Sequence, residues 1–191
     1  MSYSWVKICN MALLRIGAKS ISALTETPSG IAWTDVYQDA ADEVIAENKL
    51  LGWRDARRRG ELTVDSTAPA FGWDYRYLLP ASPWCLTLVK IENEPDYEIE
   101  GRYILTDAES PLNIIYDARI TDPTSITPEL AKAIAAKIAQ KITYRMVQDK
   151  ALRDRIMDEA ERDIMKARQD DALHAKNASV DEKGGYSWID R

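Results

Sequence analysis

Histidine is almost absent from this chain: His174 is the single one in 191 residues. With no second histidine, no Ser-His-Asp or Cys-His arrangement can be assembled with any specificity, and no His cluster can ligate a metal. Cysteine is scarce as well. Cys9 and Cys85 lie far apart in apolar stretches and read as two reduced core thiols, not as a disulfide framework. The eight glycines are scattered, so there is no glycine-rich phosphate loop. No apolar run approaches the roughly 18–20 residues that cross a bilayer. Lys7, Asn10 and Arg15 interrupt the first apolar stretch, which argues against a secretory signal. Positive charge is in deficit, with 25 Lys and Arg against 31 Asp and Glu, a net charge of −6 and a pI near 5.0. That balance excludes a general nucleic-acid binder, which would be basic. These deficits leave no catalytic residue, no metal ligand, no cofactor and no membrane partner to assign.

What is present is a hydrophobic content of 46%, enough for one domain with a small inserted subdomain. Trp5, Ile8, Cys9, Ala12, Leu13 and Ile16 recur at helical spacing and predict a helix from about Ser4 to Ile16, capped by Ser4 and closed by Gly17. A second helix is expected after Gly30. It carries Trp33, Val36, Tyr37, Ala40, Val44 and Leu51 near one face and ends at Gly52. From about Leu62 to Ile120 the period becomes two. Tyr75–Leu79, Leu86–Ile91, a hairpin Tyr97–Leu105 turning at Gly101, and Leu112–Tyr116 read as one small antiparallel sheet. Thr127-Pro128 then starts a helix with Leu130, Ile134, Ile138 and Ile142 stepping by four beside Ala131, Ala135 and Ala139. A last helix is expected from about Asp149 to His174. The fold class is therefore α+β: an antiparallel helical bundle (1–60 and 122–175) with an inserted antiparallel β-rich subdomain (61–121) and an extended C-terminal tail (176–191).

Three surface features compete for function. In the tail, Lys183-Gly184-Gly185 reads as a joint, followed by Tyr186-Ser187-Trp188-Ile189. Tyr186, Trp188 and Ile189 are candidate partner-docking residues, worth about 1.5–3 kcal/mol each if buried, less the cost of ordering the joint. The bland alternative is a tail folded back on its own domain. Arg57, Arg58 and Arg59, next to Arg54, form the one dense basic cluster. They could supply an inter-subunit or lumen surface. The bland alternative is cations at a helix end or in a solvated loop, where the macrodipole favours them. Glu92, Glu94, Asp96, Glu98 and Glu100 lack EF-hand spacing and read as a solvated or edge-protecting strand face.

An ordered series of segments adds a resemblance. Ile8-Cys9-Asn10-Met11-Ala12-Leu13-Leu14-Arg15-Ile16-Gly17 is followed by Ile21-Ser22-Ala23-Leu24-Thr25-Glu26 and by Gly52-Trp53-Arg54-Asp55-Ala56 with Arg58 and Leu62. Next come Tyr75-Arg76-Tyr77-Leu78-Leu79-Pro80 with Cys85-Leu86, and Tyr97-Glu98-Ile99-Glu100-Gly101-Arg102-Tyr103-Ile104-Leu105-Thr106. Tyr116, Thr121-Asp122-Pro123 and the Ala-rich helix from Pro128 complete the order. Over most of residues 5–175 this series resembles the head-to-tail adaptor proteins of short-tailed phages, the tail tubular protein A-like family. Ala81-Ser82-Pro83-Trp84 is more elaborate than that family's short acidic link.

The resemblance implies a structural virion protein and not an enzyme. Such a protein adds to the portal protein as a homo-oligomeric ring, expected to be a dodecamer. It presents a platform to the tail nozzle (a tail tubular protein B-like partner) and surrounds DNA that passes without sequence-specific binding. Its place would be the neck of the virion, and the host cytoplasm during assembly. The alternatives are another neck component, such as a stopper or head-completion plug, and a small helical DNA-binding or regulatory module.

Overall fold

The computed structural model describes residues 2–26, 30–48 and 52–181, with 175–181 as helical backbone. These residues form a mixed α+β protein. Its helices are α1 (Trp5–Arg15), α2 (Trp33–Ala46), α3 (Pro128–Met146) and α4 (Lys150–Asp181). Its strands are β1 (Arg57–Leu62), β2 (Tyr75–Leu78), β3 (Cys85–Ile91), β4 (Tyr97–Glu100), β5 (Tyr103–Thr106) and β6 (Leu112–Ala118). The chain divides into two units. The helical unit comprises Met1–Val44, Trp53–Asp55 and Asp122–Arg191, and the β unit comprises Ile45–Gly52 and Ala56–Thr121.

Local chemistry sets the helix ends. The Ser4 hydroxyl accepts from the Lys7 N–H at 3.2 Å and caps α1. Gly17, at φ +69°, closes it: Gly17 N–H bonds Leu14 C=O and Ala18 N–H bonds Leu13 C=O, the paired bonds of a Schellman motif. Thr127 caps α3 with Pro128 in its first turn, and the Asp149 carboxylate takes the N–H groups of Ala151 and Leu152 at the start of α4.

α3 is the axis of the helical unit. Beyond the stripe read from its sequence, Ala133, Ala136 and Thr143 are also buried, so the buried face is wider than a single stripe. Five alanines among its buried residues leave room for α4 and α1 to pack closely against it. Trp5 stacks on Tyr37 at 4.5 Å between ring centroids, tying α1 to α2. Charged links fasten the rim. Arg15 pairs with Asp163 at 2.6 Å, and Glu43 is held by Lys141 and, at 3.3 Å, by Lys137.

The β unit differs from the single sheet expected. It holds two three-stranded antiparallel sheets, ordered β1-β6-β3 and β2-β5-β4. Leu62, Ile91, Leu112, Ile114 and Tyr116 of the first share a core with Tyr77 and Ile104 of the second. Alternation alone cannot say which strands pair, and two sheets let both inner faces bury each other.

Three boundaries also differ. β1 begins at Arg57, inside the segment 1–60 read as helical. Its R-R-R-G-E-L sequence lacks β-branched and aromatic residues, and its strand form comes from pairing with β6, from Arg57↔Asp117 to Leu62↔Leu112. α2 ends at Ala46, short of Gly52. There Asn48 donates its side-chain amide to Gly52 C=O at 2.7 Å, a local bond that competes with helix continuation. α4 continues to Asp181, through residues read as the start of an extended tail. Ala175 to Asp181 contain no Pro or Gly, so each added residue gains a helical hydrogen bond at little nucleation cost.

Two outcomes test this account. Ile134, fully buried in α3, when changed to Ala should cost about 2–5 kcal/mol in urea unfolding. For Glu43, burial pushes its carboxyl pKa up, but the hydrogen bond and charge of Lys141 and then of Lys137 outweigh it and hold it below the ordinary 4.5. A depressed carboxyl stabilises the fold above its unfolded value, and this is lost as pH falls from 4.5 through the lower folded value. Wild type and Glu43→Gln should therefore differ by about 1–3 °C in Tm at neutral pH and converge as the pH drops through that window.

Candidate functional site

The basic cluster of the sequence separates in the structure. Arg54 belongs to the helical unit, where its backbone N–H and Nε both bond the carboxylate of Asp171, at 3.2 and 3.0 Å. Asp171 is only 2% exposed, so this two-point contact answers a carboxylate that water cannot reach. Arg57, Arg58 and Arg59 lie on β1 in the β unit, which corrects their reading as cations at a helix end or in a loop.

Alternation on β1 gives the three arginines different surroundings. Arg57 faces the outer side of its sheet, opposite Asp117 on β6, with Nε 3.7 Å from the carboxylate. Asp117 has no exposure at all. Gly52, at φ +64°, turns the chain beside this pair. A Cβ there would run into both the Arg57 guanidinium and the Asp117 carboxylate. Arg58, on the other side, is exposed and donates to its own strand at Arg57 C=O, at 2.7 Å. Arg59 returns to the outer side, opposite Ile115.

Cross-strand register builds a banded surface beyond the buried pair. Arg59, Ile115 and Lys90 make one row across the sheet. Glu61 and Asn113 begin the next, and Glu92 joins it by accepting from the Asn113 amide at 2.6 Å. Together they line an open groove of about 560 Å³. Lys90 also pairs with Glu94 at 2.7 Å and holds that carboxyl below the usual range. A cationic row beside an acidic row can dock charged side chains of a partner.

The second surface lies around β4. All four of its residues are exposed, and Glu98 and Glu100 share one face as alternation required. The Trp73 indole N–H reaches Glu98 at 3.4 Å. Phe71 nearby is 88% exposed. A third device supports the loop between β2 and β3. Arg102 donates to the carbonyls of Leu79 (3.0 Å), Pro80 (2.6 Å) and Cys85 (3.4 Å) while lying 3.7 Å from the Trp84 ring centroid. The Glu-Gly-Arg turn thus supplies the cation that shapes the Pro80–Cys85 link.

Tyr186, Trp188 and Ile189 lie outside the described residues. Cys9 and Cys85 are free and buried, one in each unit, and burial pushes their thiols up to about 12 and about 11. Asp117, Asp171 and Gly52 were not legible as partners of the arginines. Their partnerships depend on which strands and helices pair, and no local pattern records that.

Gly52→Ala should destabilise the protein by about 1–3 kcal/mol in urea unfolding, because it combines a left-handed backbone with displacement of a buried ion pair. No protein-family model matches the sequence, and no curated protein matches it.

Proposed function

We propose that this protein is a structural adaptor of the head-to-tail type, an α+β bundle with an inserted β-rich subdomain that assembles as a ring beneath a portal, joins it to a tail nozzle and surrounds the DNA channel. The observation that carries the reading is the ordered series of segments from Ile8 to the Ala-rich helix at Pro128, which spans both units. Surface chemistry supports it. The banded charges of the β unit suit contacts fixed by complementarity more than by bulk burial.

In this reading the docking role falls to Tyr186, Trp188 and Ile189, and Arg57, Arg58 and Arg59 serve an inter-subunit or lumen surface. Of the three arginines, Arg59 is the one aimed at a partner, since Arg57 is engaged with Asp117. A net charge of −6 per copy favours a ring through which DNA slides without being held. The protein would work in the virion neck, after assembly in the host cytoplasm, with no catalytic step and no cofactor.

Native mass spectrometry of the protein alone and with a short-tailed phage portal ring tests this. A multi-copy complex with the portal is expected, with a stoichiometry matching the portal ring, which separates an adaptor ring from a plug or stopper. Truncation after Lys183 should weaken that association about tenfold or more, the equivalent of about 1.4 kcal/mol. A protein that ignores the portal at every concentration removes the adaptor reading.

A further inference from the structure

The loop between β1 and β2 leaves a cavity of about 400 Å³ against the outer face of the second sheet, within the β unit. Register identifies that face. Ile99, Ile104 and Tyr77 form a row on the core side. By alternation Glu98, Leu105 and Arg76 form a row on the other side, with Glu100 and Tyr103 in the next. Leu105 is only 6% exposed although it points away from the shared core, and loop residues 68–73 line the cavity with it. An apolar floor is thus walled by the rings of Trp73 and Tyr103 and by the carboxylates of Glu98 and Glu100.

The charges around this cavity do not balance. Arg76 is the one cation among the lining residues. It lies 4.5 Å from the Tyr103 ring centroid, and its Nε and a terminal nitrogen both donate to Asp65, at 3.2 and 3.0 Å. Its charge is answered there. The Trp73 indole N–H is turned to Glu98 at 3.4 Å, which holds a flat ring beside that carboxylate. Among the described residues Glu98 has this one neutral donor, and Glu100 has no hydrogen bond or ion pair at all. Two anions and an aromatic face are left without a cation.

We propose that this cavity takes an arginine side chain of a partner protein. The methylene stem would lie on Leu105, and the guanidinium would lie beside Trp73 and bridge Glu98 and Glu100. Arginine suits the site better than lysine. Residues i and i+2 of a strand stand roughly 7 Å apart, and a planar fork can bond one carboxylate on each edge while its face stacks on an indole. The resident Arg76, stacked on one ring and bonded to one carboxylate, shows the same recognition within the chain. A neutral or acidic side chain would leave both glutamates unanswered.

The site is read from the β unit alone and is tested without a portal, so its failure and the failure of the adaptor reading are separate results. The probe is the peptide acetyl-Ala-Ala-Arg-Ala-Ala-amide, titrated at low salt into full-length protein with nitrogen-labelled indoles. The Trp73 indole signal is identified by its loss in W73F. A saturable shift of that signal is expected. Replacing the peptide's arginine by citrulline, which keeps the shape and removes the charge, should weaken binding about tenfold or more. E100Q should do the same, and Glu100 makes no contact whose loss would disturb the fold. A Trp73 signal that does not move, equal binding of the citrulline peptide, or E100Q protein that binds as wild type overturns the proposal.

Discussion

A carboxylate that no water touches has to be answered where it lies, and Asp117 sets that demand on the outer side of the first sheet of the β unit. It sits on β6, the middle strand of its sheet, opposite Arg57. A buried charge without a partner would cost several kcal/mol, so the position of β1 is not free to slide. The same pair explains Gly52. The chain must turn beside the guanidinium with a left-handed backbone and no side chain, and glycine alone does both without strain. Register, turn and charge are thus one constraint seen from three residues.

The helical unit is organised by bulk and not by charge. α3 buries ten of its 19 residues in packing, and its alanines make close approach of neighbouring helices possible. Charged links such as Arg15–Asp163 and Glu43–Lys137 lie at the rim, where they fix orientation at little energetic gain. Arg54–Asp171 is the exception, because Asp171 is buried and receives both a backbone and a side-chain donor.

The exposed surfaces of the β unit divide by charge. The outer face of the first sheet carries a cationic row beside an acidic one, and β4 presents glutamates on one side and Tyr97 and Ile99 on the other. Charged residues on an edge strand keep out indiscriminate partners, and the same charges admit a partner whose pattern is complementary.

The sequence by itself determined the elements whose signals are local. The Ser4 and Thr127 caps, the Gly17 stop, the stepped isoleucines of α3 and the Gly101 hairpin are legible because capping, helical spacing and turn geometry act over a few residues. Tertiary structure decided the rest. R-R-R-G-E-L has the composition of a loop and became a strand because β6 offered it a ladder and Asp117 a charge. A helix expected to reach Gly52 stopped at Ala46 because Asn48 found a bond in the turn. The division into two sheets, and the separation of Arg54 from Arg57–Arg59, depend on pairings between residues tens of positions apart. Local sequence encodes the propensity of each piece, whereas partner choice is settled by the burial and charge of residues that meet only when the chain has folded.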